Sequence, residues 1–320
     1  MKKKSYNKVG ILLMFVVLFA CQGNAGRKTA DDSAQSPRQE QAVEPQFPFP
    51  SIPSTLTEPE ERKEYLLQHY WDNFDFSDSA LVNNRDVSEQ GFVNQIALLA
   101  DGITGPELIR QSMDNFCSGM EQDTHARKVF MQMAEDYLYN PNSPFYNEDL
   151  YLVYLKRMVQ SKALDEAQKS TLAFKAELAS RNRVGTEATD FVYYLPDGSK
   201  RSLKQTSVLG NRMILVFYDP ECPSCHETLQ QMMDDTALAN AVDKGNVTVT
   251  AIYTEGNEDA WKKALPQMPE NWIIGNDRMA VKDHALYDLK AMPSLYLLDA
   301  RKQVLLKDVP YGRIKETLGL

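Results

Sequence analysis

From residue 56 to about 183, apolar side chains recur every three to four positions, the spacing of one buried helix face, in stretches near 58–73, 87–100, 105–121, 124–139, 147–160 and 165–181. The pattern predicts an all-α domain. Thr57 followed by Glu60 reads as a capping box on its first helix, Pro106 as a helix start and Pro141 as a helix stop. Near Asn182-Arg-Val-Gly185 the period changes. Phe191 to Leu195 and Lys200 to Leu203, joined by Pro196-Asp-Gly-Ser199, predict a hairpin. Met213 to Tyr218 is apolar without alternation, as in a strand covered on both faces. A helix carrying Leu229, Met232, Met233, Thr236 and Ala237 follows, then a strand at Val247 to Tyr253 and a helix around Glu258 to Leu265. The series closes with a strand near Trp272 to Ile274, a helix around Met279 to Leu286, a hairpin of Ser294 to Leu298 with Gln303 to Leu306, and a short helix ending at Leu318. Strands alternating with helices predict an α/β domain over 186–320, behind the helical domain at 56–183.

The start of the chain follows neither period. Lys2, Lys3, Lys4 and Lys8 precede Val9 to Ala20, which is almost wholly apolar and too short to span a bilayer comfortably, so residues 1–20 read as an export leader. Residues 22 to about 46 carry almost nothing large and apolar and predict a disordered tether, closed by the stiff extended run Phe47-Pro-Phe-Pro-Ser-Ile-Pro53. Leu18-Phe19-Ala20-Cys21 resembles the lipobox of bacterial lipoproteins. That resemblance implies cleavage before Cys21 and acylation of its new terminus, with 21–55 as lipidated cysteine and tether. Gln22 after the cysteine leans, by the same resemblance, towards the outer membrane facing the periplasm.

Length and composition allow two proper cores: 320 residues, 43% hydrophobic and 25% charged. The net charge of −9 includes the leader's lysines and makes nucleic acid an unsuitable partner. No phosphate-cradling glycine loop or dinucleotide fingerprint occurs, and no cofactor or metal is expected. Of four cysteines, Cys117 shares a helical stripe with Ile109, Met113, Phe116 and Met120 and reads as a buried, inert thiol. The aromatic runs Tyr70 to Phe76 and Tyr137 to Tyr146 read as core and loop packing, with a peptide-binding surface as the alternative.

The remaining two cysteines carry the chemistry. Cys222-Pro-Ser-Cys225 stands where the apolar strand hands over to a helix, and Pro223 suits a first helical turn. Cys222 then meets unpaired backbone N–H groups and the positive end of the helix dipole, a setting that favours a thiolate. The order strand, Cys-x-x-Cys, helix, strand, helix, then Ala291-Met-Pro-Ser-Leu-Tyr-Leu-Leu-Asp299, is similar to the thioredoxin superfamily over residues 186–320. The hairpin ahead of the central strand looks most like its membrane-tethered, extracytoplasmic branch. The helical segment resembles an uncharacterised domain that precedes such modules in Bacteroidetes lipoproteins.

The resemblance implies that Cys222 attacks a substrate sulfur and Cys225 resolves the mixed disulfide, with Pro293 in cis presenting the Met292 backbone to an extended substrate. It also implies partners: exported proteins with thiols or disulfides, and a membrane or periplasmic redox partner. Val216 replaces the family's buried Asp, Glu221 its Trp, and Thr228 the Glu often found in the extracytoplasmic branch. Proton transfer for Cys225 is therefore open among Glu227, Glu221, Asp219 and His226, each of which also reads as a solvated residue at the helix start. A carboxylate at Glu221 would oppose the thiolate by like charge and slow exchange below that of thioredoxin. Rival readings are a c-type haem held through Cys222, Cys225 and His226, a zinc site completed by His69, His125 or His284, and a non-enzymatic adaptor on a thioredoxin-like scaffold.

Overall fold

In the computed structural model, which describes residues 46–320, the predicted change of period divides an all-α half from an α/β half. The leader, Cys21 and nearly all of the tether lie outside the described residues. The helical half comprises α1 (Pro59–Gln68), α2 (Ser79–Asn83), α3 (Arg85–Leu99), α4 (Pro106–Met120), α5 (Thr124–Ala134), α6 (Glu148–Val159) and α7 (Glu166–Ser180). Short polar side chains set several of the starts: Asp78, Asn84, Asp123 and Asn147 accept first-turn N–H groups, and Asp165 with Gln168 forms a reciprocal capping box.

The expected box at Thr57 and Glu60 is absent. The helix begins at Pro59, which suits a first helical position, so Glu58 and not Thr57 is the cap residue of α1, and it makes no side-chain cap bond. The aromatic run at 70–76 is packing material: Tyr70, Trp71, Phe74 and Phe76 are buried in one cluster with Phe116 and Phe130. Trp71 Nε1 donates to Gln95 Oε1 at 2.8 Å, and Gln95 Nε2 donates to Ser112 Oγ at 3.0 Å, so this buried polar group is satisfied. Phe47, read from the sequence as part of the extended linker, is buried in the same cluster, against a bare backbone at Gly91 that leaves no room for a Cβ.

The α/β half runs β1 (Val192–Tyr194), β2 (Lys200–Ser202), β3 (Arg212–Tyr218), α8 (Pro223–Asp234), α9 (Thr236–Asp243), β4 (Thr248–Tyr253), α10 (Glu258–Ala264), β5 (Ile273–Asn276), α11 (Ala280–Asp283), β6 (Ser294–Asp299), β7 (Val304–Lys307) and α12 (Tyr311–Leu318). The strands form one mixed sheet in the order β2-β1-β5-β4-β3-β6-β7. β3 lies near its centre, parallel to β4 and antiparallel to β6, which is why its apolar run does not alternate. Ile214, Val216 and Tyr218 pack on one face with Cys225, Leu229 and Met232, and Met213, Leu215 and Phe217 pack on the other with Tyr287 and Tyr296.

Two helices differ from expectation. Thr236 and Ala237 do not continue the cysteine helix: Asp235 breaks it and caps α9 by accepting the Ala237 and Leu238 N–H groups. The helix sought at Met279 to Leu286 is a single turn, because Met279 before it and Ala285 after it hold positive φ.

The two halves belong to one compact unit and meet through buried charge. Glu148 at the start of α6 accepts Lys290 Nζ at 2.8 Å and Lys307 Nζ at 2.8 Å. Lys290 also meets Asp308 at 2.9 Å and Asp288 at 3.1 Å, and the Tyr139 hydroxyl donates to Asp288 at 2.8 Å. Asn182 Nδ2 donates to the Leu286 carbonyl at 2.8 Å, and Lys307 Nζ to the carbonyls of Ala179 and Arg181 at 3.1 and 2.9 Å.

Candidate active site

The buried strand β3 ends at Tyr218 and the chain turns at once into α8. Asp219 Oδ1 accepts the Glu221 N–H at 3.0 Å, which shapes the turn and delivers Cys222 to the cap position of the helix in an extended backbone conformation. Cys222 is half-buried, and Cys225, one turn on, is 0% exposed. Neither is in a disulfide, and Cys117 is likewise free and fully buried.

The two thiols are driven in opposite directions. Burial pushes the Cys222 thiol up, but the Ser224 hydroxyl at 3.2 Å, the N–H groups of Ser224 and Cys225 that face the sulfur, and the Cys225 thiol outweigh it and hold Cys222 below the ordinary thiol value. Those N–H groups stop short of a capping hydrogen bond. Burial pushes Cys225 up to about 12, opposed only by the Asp219 N–H, which donates to Cys225 Sγ at 3.5 Å. One thiol is thus favoured as its anion and the other is held protonated.

Seventy residues on, the chain returns beside Cys222. The Met292–Pro293 peptide is cis, and the Met292 carbonyl lies 3.8 Å from Cys222 Sγ and accepts the Ser224 hydroxyl at 2.9 Å. A hydroxyl has one proton for these two neighbours. When Cys222 is a thiolate the charge-assisted bond to sulfur wins, and the Met292 carbonyl is released.

The structure brings together Cys222, Cys225, Met292, Pro293 and Asp219. Asp219 has backbone contact with Cys225, and its carboxylate is near enough to raise that thiol by charge. Glu221 is exposed and its carboxylate accepts Asn257 Nδ2 at 3.1 Å. His226 and Glu227 are exposed on α8, and His226 lines a separate cleft of about 610 Å³ with Tyr218, Met233 and Met268. Val216, at the position of the absent Asp, is sealed in the core. Among the described residues no three His, Cys, Asp or Glu side chains come together as metal ligands, so Cys222, Cys225 and His226 are not joined by His69, His125 or His284. Ser224 was not singled out as a site residue from the sequence; its signal was its place inside the motif, and the structure sets its hydroxyl between Cys222 and the returning Met292 carbonyl.

The alkylation rate of Cys222 should rise tenfold per pH unit until the thiol is ionised and then level off, at a pH below the ordinary thiol value. Ser224→Ala removes the strongest of the hydrogen bonds that favour the anion and should move that inflection upward. Coincident wild-type and variant profiles would show that the hydroxyl has no part in it.

Two family models match the chain: a domain of unknown function, DUF5106, over residues 20–182, and a thioredoxin-like domain over residues 199–310. A crystal structure of a thioredoxin-like protein from Bacteroides caccae is similar at 34% identity and a TM-score of 0.75, covering 85% of this chain and 98% of that one. The C-terminal domain of an uncharacterized protein from Bacteroides fragilis is 33% identical over 43% of this chain and 99% of that one, with a TM-score of 0.42. A domain of a possible thiol-disulfide isomerase from Cytophaga hutchinsonii is 23% identical over 44% and 93%, with a TM-score of 0.38. No curated protein matches the chain.

Proposed function

Because the chain belongs to the thioredoxin-like proteins and carries a DUF5106 domain ahead of its thioredoxin-like half, we propose that it is a thiol-disulfide oxidoreductase working through Cys222 and Cys225. The observation that carries this reading is the opposed pair of thiols: an accessible sulfur held towards its anion, with a buried, protonated sulfur one turn behind it. In the reductive direction the Cys222 thiolate attacks one sulfur of a partner's disulfide. A Cys222–partner bond forms, the partner's S–S bond breaks, and its second sulfur leaves as a thiolate. Cys225 then loses its proton and attacks Cys222, forming the Cys222–Cys225 bond and releasing the partner's first sulfur as a thiolate. Two electrons have passed from the dithiol to the partner, and the reverse sequence oxidises a partner dithiol.

Asp219 is the proposed acceptor of the Cys225 proton, since it alone of the four candidates touches that sulfur's surroundings. We further propose export, cleavage before Cys21 and lipid anchoring in the outer membrane facing the periplasm. The basic start, the short apolar run and the Leu-Phe-Ala-Cys sequence support this part of the reading. Partners are then exported proteins bearing thiols or disulfides, together with a membrane or periplasmic redox partner.

A redox titration in glutathione buffers, read by alkylation of Cys222 and Cys225, tests the activity. A reversible two-electron couple is expected. A midpoint near about −270 mV would mark a reductant and one near about −120 mV an oxidant. The absence of a reversible disulfide would overturn the enzyme reading and leave a partner-binding protein on a thioredoxin-like scaffold.

A further inference from the structure

We propose that the loop Asn140 to Asn147 of the helical domain forms one wall of the groove that receives the partner polypeptide, so that this domain selects which cysteine-bearing segments reach Cys222. The inference rests on the thiol-disulfide reading of the site. A groove of about 620 Å³ runs past Ser224, Met292 and Pro293 and is closed on one side by Pro141 and Asn142. It has room for a few residues of extended chain. A partner sulfur bonded to Cys222 has its neighbouring residues within about 3.8 Å per peptide unit, and the Met292 carbonyl at the groove edge is itself 3.8 Å from Cys222 Sγ. Residues of the partner that lie along this groove meet a lining that includes Pro141 and Asn142.

The chemistry of the lining specifies the occupant. Asp308 is the one charged residue on it, and Lys290 neutralises that charge at 2.9 Å. Asn142, Ser224, Thr228 and Gln231 offer uncharged donors and acceptors beside the apolar Met292 and Pro293. Such a surface suits an extended, uncharged peptide segment. Hydrogen bonds hold the wall at both ends. Residues Glu135–Tyr139 widen to a π-turn, a device common at functional positions, and the chain after it is held by Ser143 N–H on the Asn140 carbonyl at 2.9 Å, Asn142 N–H on Asn140 Oδ1 at 3.0 Å and Asn147 N–H on the Leu138 carbonyl at 3.1 Å. Tyr139 before the loop bonds Asp288, and Glu148 after it bonds Lys290, three residues ahead of Pro293. The wall and the Met292–Pro293 segment thus share one anchor.

The test compares the rate of Cys222 with hydroxyethyl disulfide and with a ten-residue uncharged peptide in mixed disulfide linkage, using the whole protein. Asn142 is exposed, so bulk and charge can be added there. Asn142→Trp is expected to lower the peptide-to-small-disulfide rate ratio about tenfold, equivalent to about 1.4 kcal/mol. Asn142→Lys is expected to favour peptides with Glu beside the cysteine over peptides with Lys there, a readout that a loss of packing would not produce. Ratios unchanged in both variants would overturn the wall. If the unaltered protein reacts with neither disulfide, the parent reading fails and this inference fails with it.

Discussion

A Cys225→Ser variant is expected to accumulate as mixed disulfides between Cys222 and its partners, with turnover lower by at least about a thousandfold, the scale seen when a covalent catalyst is disabled. The reason lies in the division of labour between the sulfurs. Cys222 keeps the Ser224 hydroxyl and the backbone N–H groups that favour its anion, so the first attack is expected to survive, whereas a serine hydroxyl cannot displace sulfur from sulfur and the intermediate is left unresolved. Cys117 cannot substitute, because it is fully buried in the helical core and burial pushes its thiol far up. The double variant Cys222→Ser/Cys225→Ser should capture nothing. Non-reducing electrophoresis of whole-cell extracts, followed by reduction in the second dimension, reads the result. Equal capture by the single and double variants would show that the bonds form elsewhere.

The placement of this pair was legible from the residues because it depends on local rules: an unbroken apolar run, a proline suited to a first turn, and apolar spacing behind it. The return of Met292 and Pro293 was legible through family resemblance and not through period, since nothing in Ala291-Met-Pro-Ser294 by itself says which helix it meets. The misread elements share a cause. Thr57 and Glu60 have the spacing of a capping box, yet the helix starts at Pro59 and Glu58 takes the cap position. Thr236 and Ala237 fit the stripe of the preceding helix, yet Asp235 offers its carboxylate to the backbone and restarts the count. Phe47 looked like linker because its neighbours are prolines, and only the bare backbone at Gly91, more than forty residues later in the chain, gives it a seat. The contacts between the halves were invisible for a similar reason. Tyr139, Glu148, Asp288, Lys290, Lys307 and Asp308 each read as ordinary charged or aromatic surface until the fold buries them together.

That cluster makes the second large prediction. Lys290→Met is expected to destabilise the protein by about 3–5 kcal/mol, the range for removing one partner from a buried ionic group. The Lys290 side chain is 2% exposed and serves three carboxylates, those of Glu148, Asp288 and Asp308. Burial pulls its ammonium pKa down, but those carboxylates together raise it well above the ordinary lysine value. A raised folded-state pKa means that the stabilisation is complete below the unfolded value and disappears only as pH climbs through the folded one, so wild-type stability from this source is flat across neutral pH. In the variant Asp288 and Asp308 lose the cation they share, while Glu148 keeps Lys307. Denaturant unfolding at neutral pH measures the loss. A loss under about 1 kcal/mol at neutral pH, the range of an exposed pair, would show that the junction between the halves does not depend on this lysine. It would also remove the shared anchor that ties the helical wall to the Met292–Pro293 segment.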